Sequence, residues 1–429
     1  MTSSSDALPA AAGQPAAAAP RDPRRLIAVV GLALTLGYAV LIAGAVLAGD
    51  WLLDRDGAPI VNDFAATWAA GRLALAGTPA LAWDAEAAKQ VVVTAIGRDF
   101  PDHYPLFYPP PLLLVAAPFA LLPLVPAMLA WLAVTAPVYV LTIRGILGGA
   151  AGVLVACAVP AALWNLTATQ NGFLTTALFG GALLALPRRP LLAGCLFGLL
   201  TYKPQFGLLI PLALVAGGHW RTIAAAAATA AALAAVSWLA FGTAPWAAFL
   251  HGLPVARETF LTLGLGNWWK LQSVFGLVRA LGGSETLAFV LHGAVAMAAA
   301  AGVVVLWRSR ASYGLRAAAL VTASLLATPY VYIYDLVLLA VPVAFLLRLG
   351  LDEGVLPDEP AALLTAGAFL LAYPFCPVQF GLAATLAVAL VIARRALVGA
   401  DMGADAAQPR RGTAASARAS ARGLTGFWR

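Results

Sequence analysis

Asp63 stands in "IVNDFAATWAAGRLALAGTPALAWD" (Ile60 to Asp84), one carboxylate among Phe64, Trp68 and a run of alanines in a chain with few charges. A carboxylate so placed can take a proton from a hydroxyl as a general base. It can equally be an N-cap. The stretch 63 to 76 reads as a helix stopped at Gly77, with Asp63 accepting a free backbone N–H and with Phe64, Trp68 and Leu75 on one apolar face. Spacing leaves both roles open. Lys203, in "LLTYKPQFGLLIPL", lies between two apolar runs with Tyr202 and Gln205 as its polar company. A cation near bilayer depth is costly and marks a pathway, a partner or a phosphate, unless it snorkels to the interface. Pro204 breaks a continuous helix here, which puts the lysine at a helix break. Asp335, in "YVYIYDLVLL", is the only acid between Glu285 and Asp352, so it must be paired or functional. Asn165, Gln170 and Asn171 form an amide cluster at the outer end of two spans, suited either to joining helices or to binding sugar hydroxyls.

Other polar groups have plainer readings. Asp84 precedes "AEAAKQVVVTAIG" and reads as a helix cap. Asp54-Arg55-Asp56 has the DxD form that holds a divalent cation in some sugar transferases, but it sits beside Gly57 in a turn. His103 in "DHYPLFYPP" reads as a ligand, a base or a solvated loop residue. Cys157, Cys195 and Cys376 lie in apolar runs without zinc-like or CxxC spacing and read as small core residues. No metal site is assigned, and no cofactor is expected; a divalent metal has no support.

The elements that must position these groups are membrane helices. The 429 residues are 62% hydrophobic and 10% charged, against about 45–50% apolar and about 25% charged in a soluble domain. Leu26 to Ala48 gives 23 uncharged residues, about 34 Å of helix against a hydrocarbon core of about 30 Å. This first span is longer than the apolar part of a signal peptide and reads as an uncleaved anchor. The net charge of +7 is concentrated in basic flanks: Arg21, Arg24 and Arg25 before the first span, and Arg394, Arg395 and the arginines of the tail after the last. Such flanks mark the cytoplasmic side and meet anionic headgroups. Nucleic-acid binding has no motif to support it.

The expected fold is an all-α polytopic bundle of about twelve hydrophobic passes, with both termini cytoplasmic. A disordered leader covers 1–25, a single transmembrane domain 26–400 and a disordered basic tail 401–429. The first external loop, 50–108, is helical. It carries eight acids (Asp50, Asp54, Asp56, Asp63, Asp84, Glu86, Asp99 and Asp102) against Arg55, Arg72, Lys89 and Arg98. "PPPLLLVAAPFALLP" is too short and Pro-rich to cross and reads as a half-helix. A second external loop, 242–284, is rich in Trp and Gly. All three lysines (Lys89, Lys203 and Lys270) fall on the external side.

Together, the Asp-aromatic-x-x-x-Trp-x-x-Gly-Arg segment after the first span, "GTPALAWD", "FYPPPLLLVAAPFALLP", "QNGFLTTALFGGALL", "AGCLFGLLTYKPQFGLLIPLAL", "NWWKLQSVFGLVRALGG" and "TPYVYIYDLVLLAVP" resemble glycosyltransferase family 87. These are integral-membrane enzymes of the GT-C class, similar to polyprenol-phosphate-mannose-dependent mannosyltransferases and related arabinofuranosyltransferases. The similarity runs over about 50–348 and rests on the order and spacing of the pieces. It implies a GT-C-like bundle in the plasma membrane, a polyprenyl-phosphate-sugar donor, a lipid or glycan acceptor and transfer on the extracytoplasmic face. It also implies a catalytic aspartate in the first external loop, which maps onto Asp63. Lys203 and Tyr202 match donor-phosphate contacts.

The chemistry fits those residues. A lipid-phosphate sugar carries its own leaving group. The enzyme must deprotonate an acceptor hydroxyl and balance the departing phosphate, and a carboxylate and a cation serve these tasks. Displacement with one base and no covalent intermediate inverts the anomeric centre. Gln205, Lys270 and Arg257 are further candidates for the phosphate or lipid. Tyr108, Asn165, Gln170, Trp268 and Asp335 are candidates for the sugar or acceptor. No P-loop or strand-borne GxGxxG supports a nucleotide-sugar donor. The rival readings are a lipid-linked glycan transporter or flippase, a glycan polymerase or ligase, and a structural membrane scaffold.

Overall fold

A computed structural model describes residues 23–100, 106–265, 267–376 and 378–407. His103, the leader before Pro23 and the tail beyond Ala407 lie outside the described residues.

An apolar chain in lipid has no water to satisfy its peptide groups, so it closes its hydrogen bonds within helices. The chain runs from α1 (Pro23–Ala48) to three helices of the first loop region, α2 (Phe64–Leu75), α3 (Ala85–Ile96) and α4 (Pro111–Phe119). Then follow α5 (Leu124–Leu147), α6 (Gly149–Ala158), α7 (Pro160–Ala168), α8 (Gly172–Ala185), α9 (Pro190–Leu199) and α10 (Ile210–Ala216). The long α11 (Trp220–Phe241) leads to α12 (Ala244–Arg257) and α13 (Val274–Ala280), and α14 (Glu285–Arg308) returns. The last elements are α15 (Tyr313–Ala327), α16 (Ala340–Glu353), α17 (Glu359–Ala372) and α18 (Phe380–Ala407). Helix α18 continues seven residues into the stretch expected to be disordered.

Six helical stretches among the described residues are long and apolar enough to cross a membrane: Pro23–Ala48, Leu124–Leu147, Trp220–Phe241, Glu285–Arg308, Ile333–Glu353 and Phe380–Gly399. The pair α6–α7, bent by 60° at Pro160, raises the number to seven if it is one span. The expected count of about twelve included shorter apolar helices such as Gly172–Ala185 and Tyr313–Ala327, which at about 1.5 Å per residue do not span hydrocarbon alone. The half-helix expected before Pro123 is the nine-residue α4.

Small residues let these helices approach closely. Gly194 and Gly198 are spaced four apart on α9 and face α11. A Cβ at Gly194 would come within 2.5 Å of the Thr222 carbonyl oxygen, and one at Gly198 within 2.5 Å of Thr229 Cβ. This is the small-xxx-small contact of membrane helices. Gly71 lets α2 lie on α4 in the same way, with a Cβ there 2.7 Å from the Ala116 carbonyl oxygen.

Tryptophans then fasten the loops at one end of the bundle. An indole buries a large apolar surface and still has an N–H to place. Trp51 donates to the Thr167 carbonyl (3.1 Å), Trp68 to Leu122 (2.9 Å), Trp83 to Tyr108 (3.2 Å) and Trp164 to Leu370 (3.0 Å). Each bond ties one loop or helix end to another distant in sequence.

Two expectations fail on exposure. Cys195 and Cys376 are exposed and Cys157 is half-buried; the outer surface of a membrane bundle is itself apolar, so a small apolar side chain need not lie inside. On α2, Phe64 and Trp68 are buried, but Leu75 is 48% exposed, because it ends the helix beyond the packing against α4.

Gly198→Val therefore overpacks the α9–α11 seam and is expected to destabilise the protein by about 1–3 kcal/mol. Thermal unfolding in detergent, compared with Gly293→Ala, where a Cβ meets open space, checks this: the first melts earlier and the second does not.

Candidate functional site

The site lies where four chain reversals meet at one end of the bundle. The first precedes α2. Asp63 holds the N-cap position, yet its side chain caps nothing. Asn62 takes over that work: its Oδ1 accepts the Phe64 N–H (3.1 Å) and its carbonyl the Ala65 N–H (2.9 Å). The Asp63 carboxylate is thereby released, and its Oδ2 accepts a hydrogen bond from Gln170 Nε2 (3.1 Å). Phe64 packs on Trp131 of α5, ring centroids 5.8 Å apart, which anchors the helix start. Of the two readings left open for Asp63, the cap is excluded. Asp84 does cap α3, accepting from the N–H groups of Glu86 and Ala87.

The second reversal, 169–171, joins α7 to α8. Thr169 adopts φ +51°, a left-handed helix stop. Asn165 is fully buried, and its Oδ1 accepts the Gly172 N–H (2.8 Å). The Gly172 position admits no side chain, since a Cβ would stand 2.4 Å from that oxygen. Asn165 is thus a structural clasp under the turn, and its Nδ2 is buried without a partner among the described residues.

The third reversal is the break between α9 and α10, where Lys203 separates two short 3-10 turns as expected of Pro204. Lys203 is 1% exposed. Its Nζ donates to Asp335 Oδ1 (2.5 Å) and Asn171 Oδ1 (2.7 Å) and lies 5.3–5.9 Å from the ring centres of Phe206, Tyr108 and Tyr334. Asp335 belongs to the fourth reversal, the turn before α16, where its Oδ2 accepts the Tyr332 N–H (3.1 Å). Of the alternatives for Asp335, it is paired. Tyr202 hydrogen-bonds Thr175 (2.6 Å) and packs beside Tyr108.

Lys270 completes the arrangement from the second loop region. Residues 270–273 are held against 329–331 by Gln272 N–H to the Val331 carbonyl (2.6 Å) and Ser273 Oγ to the Pro329 carbonyl (2.9 Å). Lys270 is exposed, close enough to Asp63 to favour its ionised form, and has no carboxylate partner among the described residues. Burial nevertheless dominates and pushes the Asp63 pKa above the ordinary carboxylate value; Gln170, Lys270 and Lys203 pull it back, while Asp335 adds to the rise. Burial likewise raises the Tyr108 phenol.

Asp63, Gln170, Tyr108, Lys203, Tyr202, Asp335 and Lys270 are thus brought together. Three other candidates are not joined to this group, two of them because they are engaged elsewhere. Arg257 is paired with Glu285 (3.1 Å). Trp268 donates to the Leu261 carbonyl and has Arg279 stacked 4.2 Å over its ring. Gln205 makes no hydrogen bond among the described residues. Asp54 binds the N–H groups of Asp56 and Ala58 and pairs with Arg98 (2.5 Å), which holds its pKa down. Among the described residues no three His, Cys, Asp or Glu side chains converge as a metal site.

Sequence reasoning missed the aromatic wall. Tyr332, Tyr334 and Tyr373 all lie near Asp63. Tyr332 and Tyr334 stack at 5.5 Å with planes 11° apart, and Trp269 packs on Tyr373 at 5.7 Å. The three tyrosines of "YVYIYD" beside an acid were the available signal, although the stacking of Tyr332 on Tyr334 is set by the 3-10 turn that begins at Ile333.

A family model described as glycosyltransferase family 87 matches residues 106–329, slightly more than half of the 429-residue chain. The match covers Gln170, Lys203 and Lys270 and stops short of Asp63 and Asp335. No curated protein and no solved structure matches.

Lys203→Met strands the Asp335 charge in a dry site and is expected to cost about 3–5 kcal/mol, whereas Lys203→Met with Asp335→Leu restores most of it. Melting temperatures of both variants in detergent check the pairing.

Proposed function

Because the chain belongs to glycosyltransferase family 87, we propose that this membrane glycosyltransferase moves a sugar from a polyprenyl-phosphate donor to a lipid or glycan hydroxyl at the Asp63 site. The observation that carries the reading is a carboxylate relieved of capping duty and held by one amide, within the field of an exposed lysine that pairs with no carboxylate among the described residues. Asp63 removes the proton of the acceptor hydroxyl as its oxygen attacks the anomeric carbon. The bond from that carbon to the phosphate oxygen breaks, its electron pair leaves with the lipid phosphate, and the anomeric centre inverts.

Lys270 receives the growing phosphate charge, as a positive charge already in place before the reaction. Lys203 is a weaker candidate for that task, since Asp335 already balances it; its part is to hold Asn171 and Tyr334 in position. Trp269 and Tyr373 supply an apolar face on which a sugar ring can rest. Arginines at the far end of α5 and α14, Arg144 and Arg308, support placing that end in the cytoplasm and the site on the extracytoplasmic face of the plasma membrane.

A rise in the Asp63 pKa sets the direction of the pH dependence. The base works only when ionised, so activity falls as pH drops through the raised value, at a higher pH than for an ordinary carboxylate. The test is purified protein in lipid with labelled polyprenyl-phosphate sugars. Asp63→Asn is expected to lower turnover about 100- to 10,000-fold while the protein still folds. Lys270→Ala is expected to lower kcat/KM for the donor about 100-fold. Full turnover in Asp63→Asn removes Asp63 from the mechanism, and an unchanged donor kcat/KM in Lys270→Ala returns the phosphate to another cation.

A further inference from the structure

We infer that Gln170 is a positioning residue, whose amide aims the Asp63 carboxylate at the acceptor hydroxyl rather than gripping the sugar. The inference rests on the reading of Asp63 as the base. The geometry begins with the backbone of the turn. Gln170 follows the left-handed Thr169, and its N–H donates to the Asn165 carbonyl (3.0 Å), so its side chain leaves a fully determined reversal. That reversal is bonded to the very segment that carries Asp63: Asn62 Nδ2 donates to Thr169 Oγ1 (3.1 Å), and Trp51 to the Thr167 carbonyl (3.1 Å). The spacing between Gln170 and Asp63 is therefore set by the frame around both.

The amide has one permitted orientation. Gln170 Oε1 accepts the Asn171 N–H (3.0 Å), and Nε2 donates to Asp63 Oδ2 (3.1 Å). Flipping it would set an oxygen against a carboxylate oxygen and an N–H against an N–H, losing both bonds. Asn171 is in turn fastened through its Oδ1 to Lys203 (2.7 Å). A chain of hydrogen bonds thus runs from the buried ion pair to the carboxylate. Among the described residues, the bond from Gln170 is the one that Asp63 accepts. It occupies Oδ2 and leaves Oδ1 open to a hydroxyl. Gln170 spends one N–H on Asp63 and one oxygen lone pair on the Asn171 N–H, and the Tyr108 phenol also interacts with its amide, so both ends of the amide are held by protein groups.

The other groups around Asp63 work through space. Lys270 and Lys203 favour its ionised form and Asp335 disfavours it. The phenols of Tyr108, Tyr332, Tyr334 and Tyr373 also lie within its field. A phenol ordinarily ionises near pH ~10, far above the acid limb, so a shift in that limb on changing Gln170 reports the lost hydrogen bond.

The test measures kcat/KM against pH for the full-length protein in lipid, as wild type, Gln170→Leu, Gln170→Glu and Asp63→Asn. Gln170→Leu is expected to move the acid limb upward by about one pH unit, with activity recovering on the alkaline side. Gln170→Glu keeps the shape of the side chain but replaces the donor with a second acid, so it is expected to move the limb further. It is also the variant read if Gln170→Leu fails to fold. KM for donor and acceptor is expected to change less than about threefold, as when no substrate contact is lost. A raised KM with an unmoved limb makes Gln170 a sugar contact and overturns the inference, as does a profile unchanged in every respect. Asp63→Asn separates the two levels. If it is active, the base assignment itself fails; if it is inactive at every pH while the Gln170 profiles stay put, only the positioning role fails.

Discussion

The Lys203–Asp335 ion pair holds the site end of this protein together. Each partner sits in a broken helix, and both are almost wholly removed from water. In such surroundings neither charge can leave the other without a large desolvation loss. Attraction between them closes the break between α9 and α10 onto the turn before α16, two pieces of chain 132 residues apart. Asn171 joins the pair as a neutral third member, which brings in the reversal between α7 and α8. From there the bonds run through Gln170 to Asp63. A buried ion pair is therefore linked by hydrogen bonds to the place where the Asp63 carboxylate stands.

A second constraint is the scarcity of polar partners at bilayer depth. Irregular backbone is tolerated there only where it is enclosed by protein or lines a cavity. The chain meets this need with side chains that carry an apolar body and a single donor. Tryptophans reach across to loop carbonyls at Leu122 and Tyr108 and to carbonyls in the last turns of α7 and α17, at Thr167 and Leu370. Glycines on α9 and α2 do the complementary work of letting backbones touch. The outcome is a stiff rim built from loops, on which a charge can be held at a fixed place without help from water.

Several elements were legible in the residues alone. The helix after Asp63 with its stop at Gly77, the break at Lys203, the cap at Asp84 and the shortness of the segment before Pro123 follow from local chemistry: Gly and Pro restrict the backbone, and Asp binds free N–H groups. Whether Asp63 caps its helix was not legible, because a capping carboxylate and a free one look alike in sequence; Asn62, one residue earlier, removes the capping role by taking those bonds itself. Exposure of Cys195 and Cys376 was not legible either, since an apolar side chain is at home both in the bundle core and on its lipid-facing surface.

Composition and local pattern by themselves determined that the chain is a helical membrane protein, that a helix breaks at Lys203, and that Asp335 must be paired or functional, while Asp63 stayed open between cap and base and Lys203 between a partner and the interface. Those properties depend on each residue and its near neighbours. Tertiary structure alone decided that Lys203 spends its charge on Asp335, that Lys270 stands exposed near Asp63, and that Tyr332 and Tyr334 stack beside it while Trp269 packs on Tyr373. Such facts arise from pairings across more than a hundred residues, where the energy of a contact is set by distance and by the exclusion of water, and neither quantity is written in the order of the residues.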